Sequence, residues 1–286
     1  MSGAVRPVLN ERGELKGFAK VARDLTERKK MEDELRAAQE HLEEVVAVRT
    51  AKLQESIAEH EAFSYSLSHD MRAPLRAMSS FSQILLAQYG DAVGPAGRDY
   101  MNRIKAAAER LDHLIQDVLT YSRVIRQAVT LQAVDLQRVI QQTIQERPEL
   151  QPAASNIHIE EPLLPVMGHE ASLTQCVSNL LTNAVKFVPR GTKPDVRVWT
   201  EPINNEVRLW IQDNGIGIDE KFHDHIFGIF HRLHTEQEYE GTGIGLAIVR
   251  KAVERMGGTF GVESRPGEGS RFWLQLTRGT QVDPSP

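Results

Sequence analysis

The amino-acid sequence predicts an α+β protein in which a long helical hairpin, forming a dimeric four-helix bundle, precedes an α/β sandwich. Two observations predict this architecture. From residue 25 to residue 87 the chain contains one proline and no glycine, and it is rich in strong helix formers. From about Leu131 onward, short alternating strands are interleaved with amphipathic helices, a mixture typical of helices that cover one face of a sheet.

Composition excludes several classes of protein. Apolar residues make up 41% and charged residues 26% of the 286 residues, which is enough for hydrophobic cores and argues against a wholly disordered chain. The sequence has no run of ~18 apolar residues and no apolar signal stretch, so we expect a cytoplasmic protein without membrane contact. The net charge of −5 and the lack of a basic block argue against a nucleic-acid partner. The single cysteine, Cys176, is expected to be buried.

The N-terminal residues predict only a small piece of sheet. Turn signals at Asn10–Gly13 and at Gly17 separate short apolar stretches and indicate one or two strands within residues 1–24. So little sheet is not stable alone. We therefore expect residues 1–24 to be the end of a domain whose main part lies upstream of this chain.

The helical region that follows needs partner helices. An approximate heptad seam runs through Leu42, Val46, Leu53, Phe63 and Leu67. Glycines and a proline between Gly90 and Gly97 then separate two apolar stripes of four-three spacing. The stripes are Leu67, Met71, Pro74, Met78, Phe81 and Leu85, and Tyr100, Ile104, Ala107, Leu111, Leu114, Val118, Tyr121 and Ile125. Because an isolated two-helix hairpin leaves half of each stripe in water, we infer a homodimer.

The C-terminal part predicts alternating helices and strands. Asp135 is placed to cap a helix that reaches Arg147. Further helices are expected at His169–Phe187 and Gly243–Met256. Strands are expected around Ile157–Ile159 and Val166, at Val196–Thr200 and Glu206–Gln212, and near Thr259–Glu263 and Arg271–Leu276.

Four short segments carry residues typical of chemistry, and the first lies on the hairpin. His69 follows Leu67 by two positions, about 200° around a helix, and is therefore expected to face solvent beside Asp70. Pro74 removes the amide hydrogen that would bond the Asp70 carbonyl. This loss costs ~3 kcal/mol inside a helix and indicates that the bend has a use. Taken alone, an exposed histidine beside an aspartate is more typical of an ordinary surface than of a functional site.

The second segment combines two asparagines and a lysine on a predicted helix. Asn179 and Asn183 are one helical turn apart and project together, and Lys186 follows about a turn later. Asparagines within a helix are exposed or bonded to backbone about as often as they serve a ligand. The spacing therefore leaves a purely structural role open.

The third and fourth segments are glycine loops. Asp213 follows an alternating strand and precedes Gly215 and Gly217, where a carboxylate can accept from an exocyclic amine and the backbone can approach a ligand. A simple Asn-Gly turn is the alternative. The fourth segment opens a helix whose exposed amides favour phosphate. Its residues are Gly241, Thr242, Gly243, Gly245 and Leu246. Because residues 236–240 are polar and cannot form the required strand, this loop is not a Rossmann fingerprint.

In order and spacing these segments resemble the H-box, N-box, G1 box and G2 box of the sensor histidine kinases, over about residues 55–278. Residues 227–234 are similar to the F-box of that family, and the H-box is similar to that of its phytochrome-type branch. Residues 13–28 are similar to the end of a PAS domain that continues into a signalling helix.

This resemblance implies a domain organisation. Residues 1–24 would be the C-terminal remnant of a PAS domain, and residues 25–56 a signalling coiled-coil helix. Residues 57–128 would form the dimerisation and histidine phosphotransfer domain. Residues 129–279 would form a GHKL-type ATP-binding domain, followed by a disordered tail at 280–286. The sensory domain itself would lie upstream and is missing from this chain.

The resemblance also implies ATP and Mg²⁺ as cofactors. Asp213 would recognise adenine. Asn183, helped by Asn179, would hold Mg²⁺, and Lys186 would face phosphate. The glycines of both loops, with Thr242 and Leu246, would complete the ATP site. Residues 227–240 would form a mobile lid with Phe230 as its apolar anchor and Arg232 near the phosphates; the polar stretch His234–Glu240 has little to pack against.

The implied reaction is autophosphorylation followed by transfer. His69 would attack the γ-phosphorus in line while Asp70 accepts the proton of the other ring nitrogen. The phosphoryl group would then pass to an aspartate on the receiver domain of a separate response regulator. In this family, dephosphorylation of the regulator is associated with a threonine or asparagine three positions after the acidic residue. Here Ala73 occupies that position, which implies weak or absent phosphatase activity.

Two other functions are compatible with parts of the pattern. A GHKL ATPase of the gyrase, MutL or Hsp90 kind places a glutamate in the N-box to activate water, whereas this sequence has Asn179 there. A dimeric scaffold that binds ATP without catalysis would have no need of the intact His69 and Asp70. Transfer of labelled phosphate from ATP distinguishes all three.

Overall fold

The computed structural model describes residues 2–23, 26–126, 129–233, 239 and 241–279. Contacts divide the chain into two compact units, Met1–Phe63 and Ser64–Pro286. Within the described ranges, no helix is both long and apolar enough to cross a membrane. The elements are β1 (Ser2–Leu9), β2 (Leu15–Arg23), α1 (Thr26–Tyr89), α2 (Gly94–Arg126), β3 (Gln132–Val134), α3 (Leu136–Glu146), β4 (Asn156–Ile159), β5 (Val166–Gly168), α4 (Glu170–Lys186), β6 (Asp195–Ile203), β7 (Glu206–Asp213), α5 (Gly245–Arg255), β8 (Thr259–Ser264) and β9 (Ser270–Thr277).

The first unit begins with an antiparallel hairpin of β1 and β2, which confirms the strands expected there. Asn10 shapes the turn, because its side-chain oxygen accepts hydrogen bonds from the amides of Arg12 and Glu14 at 3.0 and 2.9 Å. Val5 and Phe18 are 59% and 68% exposed. The assignment of this hairpin to a PAS domain stays a prediction.

Helix α1 runs continuously for 64 residues and includes Pro74, as the composition predicts. Leu42 and Val46 of the predicted seam are 62% and 55% exposed. The side chains of Leu53, Phe63 and Leu67 lie outside the described residues.

The second unit contains the hairpin of α1 and α2. The turn is shorter than predicted, because the amides of Ala92 and Val93 bond back to the Tyr89 carbonyl and α2 starts at Gly94, where φ is +69°. Gly97 therefore lies inside the helix. The apolar stripes leave large side chains exposed on both helices. These are Met71, Met78, Phe81, Leu85, Tyr100, Ile104, Leu111 and Val118.

The C-terminal part of the second unit is an α/β sandwich, as predicted. Its five-stranded sheet has the order β4-β6-β7-β9-β8, with β4 parallel to β6 and the other pairs antiparallel. Helices α3, α4 and α5 pack on one face of this sheet. A separate antiparallel pair joins β3 to β5, and the sequence pattern did not predict β3.

Alternating side chains build the core between sheet and helices. Val196 and Val198 of β6 are fully buried, and Leu173, Val177 and Leu180 of α4 are at most 1% exposed. Cys176 is buried among them, as expected, and burial raises the pKa of its thiol to about 12. The helical and strand periodicities read from the sequence therefore point to the same core.

Helix boundaries in this part follow local capping chemistry. The Asp135 side chain accepts from the amides of Gln137 and Arg138 and caps α3, as predicted. Helix α5 begins at Gly245, two residues later than predicted. Gly243 has a φ of +75°, a left-handed conformation that a helix interior does not accept.

Candidate functional site

A cavity of about 480 Å³ brings together most of the predicted ligand-binding residues. It lies between α4, the end of β7, the glycine loop before α5, and one side of α2. The predicted residues in its wall are Asn179, Asn183, Lys186, Asp213, Gly217, Arg232, Gly241, Thr242, Gly243, Gly245 and Leu246. Gly215 and Phe230 are not among the lining residues.

Asp213 is the buried carboxylate of this cavity, at the end of β7 and 7% exposed. Its Oδ1 accepts hydrogen bonds from the amides of Gly215 and Ser270 at 2.8 and 3.1 Å. Burial raises the pKa of Asp213 to about 6, although both hydrogen bonds act in the opposite direction. The carboxylate is thus fixed in direction and turned toward the cavity, where it can accept from a ligand amine.

The two glycines after Asp213 allow close packing of the chain. A Cβ atom at Gly217, where φ is +72°, would lie 1.8 Å from the Arg265 carbonyl oxygen. A Cβ at Gly215 would lie 2.5 Å from the Phe187 carbonyl oxygen. The sequence pattern suggested ligand approach at both positions. The structure places backbone carbonyls there, so these glycines hold the loop against α4 and the β8–β9 turn.

Asn179 ties α4 to the start of α5. Its Nδ2 donates to the Gly245 carbonyl at 3.0 Å, and its Oδ1 accepts from Gln175 at 3.2 Å. Asn183, one turn later, lines the cavity. The two asparagines therefore share one helix face, as predicted, but Asn179 contacts the glycine loop directly.

Lys186 reaches the glycine loop from the end of α4. Its Nζ lies 4.2 Å from the ring centroid of Phe187. A Cβ atom at Gly241 would lie 3.0 Å from the same Nζ. Because Gly241 has a φ of +148°, a side chain there is disfavoured by conformation as well as by space. The ammonium group is thus placed at the loop whose amides can bind an anion.

The segment between Phe227 and the glycine loop is described in part. The Phe230 amide donates to the Gly243 carbonyl at 3.0 Å, although the Phe230 side chain is 62% exposed. Arg232 Nη2 donates to the Tyr239 carbonyl at 3.0 Å. Residues 234–238 and 240, which include most of the predicted lid stretch, lie outside the described residues.

Ser270 and Tyr239 are two of the cavity residues that sequence reasoning did not find. Ser270 contacts Asp213 from β9, which is distant in the chain. The ring of Tyr239 lies 5.3 Å from that of Phe187, and its hydroxyl donates to the Val188 carbonyl at 3.3 Å. Only Tyr239 had a local signal, since it is the one aromatic residue in an otherwise polar stretch beside the glycine loop.

The hairpin carries the other predicted residues. His69 and Asp70 lie in α1, and Asp70 is exposed. The side chain of His69 lies outside the described residues, so its predicted solvent-facing position stays a prediction. Asp70 is not among the residues that line the cavity.

A buried carboxylate at a strand end, an asparagine-bearing helix and a glycine loop around one cavity define a nucleotide-binding domain. Residues 168–280 match the family model of "Histidine kinase-, DNA gyrase B-, and HSP90-like ATPase". Residues 59–127 match that of the "His Kinase A (phospho-acceptor) domain". The C-terminal sandwich is therefore an ATP-binding domain, and the hairpin is a phospho-acceptor domain.

The similarity to known proteins extends over most of this chain. Phytochrome-like protein Cph1 of Synechocystis is 36% identical over 241 residues, which are 82% of this chain and 31% of that protein. Sensor histidine kinase AruS of Pseudomonas aeruginosa is 30% identical over 287 residues, 93% of this chain and 28% of that protein. The crystal structure of full-length ShkA in complex with AMPPNP has a TM-score of 0.57 and 27% identity, covering 78% of this chain and 47% of that one.

The chain belongs to the sensor histidine kinases. It spans about a third of the length of the curated relatives it matches.

Proposed function

We propose that this protein transfers the γ-phosphoryl group of ATP to His69 and then to an aspartate of a response regulator. The observation that carries the proposal is the cavity, which gathers Asp213, Asn183, Lys186 and the glycine loop on a chain that also has the phospho-acceptor hairpin. An ATP-binding domain joined to an acceptor histidine supplies both substrates of one transfer.

Asp213 is assigned to the base of the nucleotide. Its ionised carboxylate can accept a hydrogen bond from the exocyclic amine of adenine, which guanine lacks at the same position. The buried setting of Asp213 supports this role, because a hydrogen bond to a charged group in a dry site is stronger than one in water. The glycine loop, Lys186 and Arg232 are assigned to the phosphates, since amides at a helix start and cations both stabilise anions.

Asn183 is assigned to Mg²⁺. The residues fit the ion, because Mg²⁺ prefers oxygen ligands and is usually held by few protein groups together with substrate phosphates and water. The Asn183 amide supplies such an oxygen in the cavity that also contains Lys186 and the glycine loop. When bound, Mg²⁺ offsets the negative charge of the transferring phosphoryl group.

The chemistry at His69 needs a neutral imidazole. One ring nitrogen forms a bond to the γ-phosphorus as the bond to the β,γ-bridging oxygen breaks and ADP leaves. Asp70, adjacent in α1, accepts the proton of the other ring nitrogen and so holds the tautomer that can attack. The residues of the cavity position ATP relative to the histidine and exclude water, as phosphoryl transfer requires.

The assembly is assigned as a homodimer that acts on a response regulator. Exposed apolar side chains on both hairpin helices, such as Phe81 at 65% and Tyr100 at 63%, support burial against a second hairpin. The regulator follows from the family, in which the phosphoryl group moves on to a receiver aspartate.

Incubation of the full chain with γ-labelled ATP and Mg²⁺ tests this proposal. We expect acid-labile label on the wild type and none on His69→Gln. His158→Gln, a change at an exposed histidine on the edge strand β4, is the matched control and is expected to keep its label. Binding of ATP without label on the protein would support the scaffold instead, and steady release of inorganic phosphate would support the ATPase.

A further inference from the structure

The hairpin takes part in the wall of the ATP cavity. His113, Gln116 and Asp117 of α2 line it beside the glycine loop. The Thr242 hydroxyl donates a hydrogen bond to the Asp117 carboxylate. A second contact lies two turns further along α2, where Arg255 of α5 donates to the Val124 carbonyl at 3.3 Å. The ATP-binding domain is thus docked on α2 at two points.

Two contacts between the hairpin helices define their relative register. Arg72 lies 3.6 Å from Asp112, and Ser79 donates to Glu109 at 3.3 Å. In antiparallel helices, a step back along α1 corresponds to a step forward along α2. The first pair therefore places His69 opposite Ile115, and the second pair places it opposite Leu119.

Asp117 lies midway between these two positions. At 1.5 Å per residue it is at the height of His69 along the hairpin, to within about 3 Å. Since Asp117 contacts Thr242, the glycine loop is held at that height too. The phosphate end of the nucleotide site and the backbone of the acceptor residue are therefore level with each other.

We propose that Asp117 is a positioning residue that docks the glycine loop at the height of His69 for phosphoryl transfer. The inference rests on the proposed function. Asp117 does not touch the reacting atoms: it acts through Thr242. In-line transfer requires the reacting atoms to be held ~3–3.5 Å apart, so a contact that sets the height of one domain against the other controls the rate.

Docking at this point is compatible with a bound nucleotide. Asp117 is bonded to the side chain of Thr242, whereas anions at a helix start are bound by backbone amides. The two interactions use different atoms of the loop. The opposite function, a carboxylate that repels the phosphates and keeps ATP out, predicts tighter ATP binding when Asp117 is removed.

Rapid-quench autophosphorylation of the full chain distinguishes these two functions. For Asp117→Ala we expect the rate at saturating Mg-ATP to fall about tenfold or more, because misplacement by ~1 Å costs about 10²-fold. The KM for ATP is expected to change by less than about twofold, as for a residue that acts after binding. Asp117→Asn keeps an acceptor oxygen and is expected to retain most of the rate.

Matched controls separate docking from general damage. Asp99→Ala removes another carboxylate of α2, which pairs only with Arg103 among its described contacts, and is expected to leave both parameters unchanged. Asp117→Ala combined with Thr242→Val is expected to be no slower than the slower single variant. A normal rate in Asp117→Ala, or a lower KM with a faster rate, would overturn the proposal.

A cysteine pair tests the docking contact without using activity. Asp117→Cys with Thr242→Cys is expected to form a disulfide within one chain under mild oxidation, whereas Asp99→Cys with Thr242→Cys is not. Cross-linking of the first pair in a protein that never labels would uphold the docking contact and reject the proposed function. Equal cross-linking of both pairs, or of neither, would reject the docking contact itself.

Discussion

Asp213 combines two opposing influences in one side chain. Burial raises the pKa of its carboxyl to about 6, while amide hydrogen bonds from Gly215 and Ser270 favour the ionised form. Adenine recognition needs the ionised form, because only a carboxylate oxygen with a free lone pair accepts from the amine at full strength. The proposed adenine role therefore links the affinity for ATP to the protonation of Asp213.

The first prediction is that ATP affinity falls as the pH falls through about 6. Since the unbound site has a pKa of about 6 and binding requires the ionised form, affinity at pH 5 is expected to be about tenfold lower than at pH 7. Calorimetry on the wild type and on Asp213→Asn measures this. The variant should bind ATP weakly, and its affinity should not show the tenfold fall between pH 7 and pH 5. Because ATP itself titrates in the same pH range, the test is the ratio of the ATP affinities of the two proteins. A ratio that does not change with pH would contradict the prediction.

Ala73 gives a second prediction at the residue scale. Its methyl group is exposed on α1 and cannot orient a water molecule, so we expect little dephosphorylation of the regulator. Nucleotide-free protein carrying His69→Ala is added to a purified phosphorylated regulator, which excludes reverse transfer through the histidine. Decay is expected at the spontaneous rate. Ala73→Thr in the same background is expected to accelerate it, and a fast decay with Ala73 present would disprove the argument.

Residues of the site differ in how far sequence alone predicts them. Asn179, Asn183 and Lys186 stand within eight positions of one another, so helical spacing brings them to one face. Ser270 and Asp117 come to the cavity from β9 and α2. No local sequence pattern predicts their position at the cavity, because this position depends on the order of strands in the sheet and on how the ATP-binding domain docks on α2. The predicted lid is an intermediate case. The polar stretch indicated a region of the chain, and the structure shows that Tyr239 of this region contacts Phe187.

At the scale of elements, the site depends on the junction between α4 and α5. Asn179 donates to the Gly245 carbonyl, which is at the first residue of α5. The helix start has no side-chain cap of its own, since Ile244 occupies the N-cap position. This hydrogen bond thus links α4 to the first turn of α5.

The third prediction follows from this junction. Asn179→Ala is expected to destabilise the protein by about 0.5–1.5 kcal/mol, because a partly buried hydrogen bond between α4 and α5 is lost. Urea unfolding measured with ATP absent should show a lower midpoint and an unchanged slope. Gln142→Ala, which removes a solvent-exposed pair with Glu146 on α3, is the control and should shift the midpoint little. Equal midpoints for Asn179→Ala and the wild type would contradict the structural role.

The elements themselves were largely predictable. Helices α3, α4 and α5 and the strands β6 to β9 follow from apolar periodicity, because each has one buried face. Strand β3 was missed since it is three residues long and owes its conformation to Val166–Gly168, far along the chain. The predicted start of α5 was two residues too early, because the sequence does not show that Gly243 adopts a left-handed conformation, which excludes it from the helix.

At the scale of the whole molecule, the two hairpin helices leave an apolar surface without cover in a single chain. Phe81 and Leu85 of α1 are 65% and 43% exposed, and Tyr100 and Ile104 of α2 are 63% and 48% exposed. A surface of this kind is costly in water and is typical of an interface. Sequence periodicity predicted the stripe, but the contact of α2 with the ATP-binding domain had no sequence signal.

The fourth prediction concerns dimerisation. Phe81→Asp is expected to weaken the dimer strongly, because it places a charge within the exposed apolar surface of the hairpin. Sedimentation of the wild type and the variant at micromolar concentration measures this. Gln83→Asp adds the same charge at a neighbouring exposed position and should leave the dimer intact. ATP binding should persist in both variants, and a stable dimer of Phe81→Asp would contradict the proposed interface.

The proposed transfer to His69 is tested most directly by locating the phosphorylated residue with mass spectrometry. Trypsin is expected to release residues 53–72 as one peptide, which contains both His60 and His69. After incubation with Mg-ATP, fragmentation that preserves the phosphoramidate bond assigns the phosphate to one of the two histidines. We predict phosphate on His69 alone. Phosphate on His60, or on a residue outside this peptide, or none at all, would contradict it.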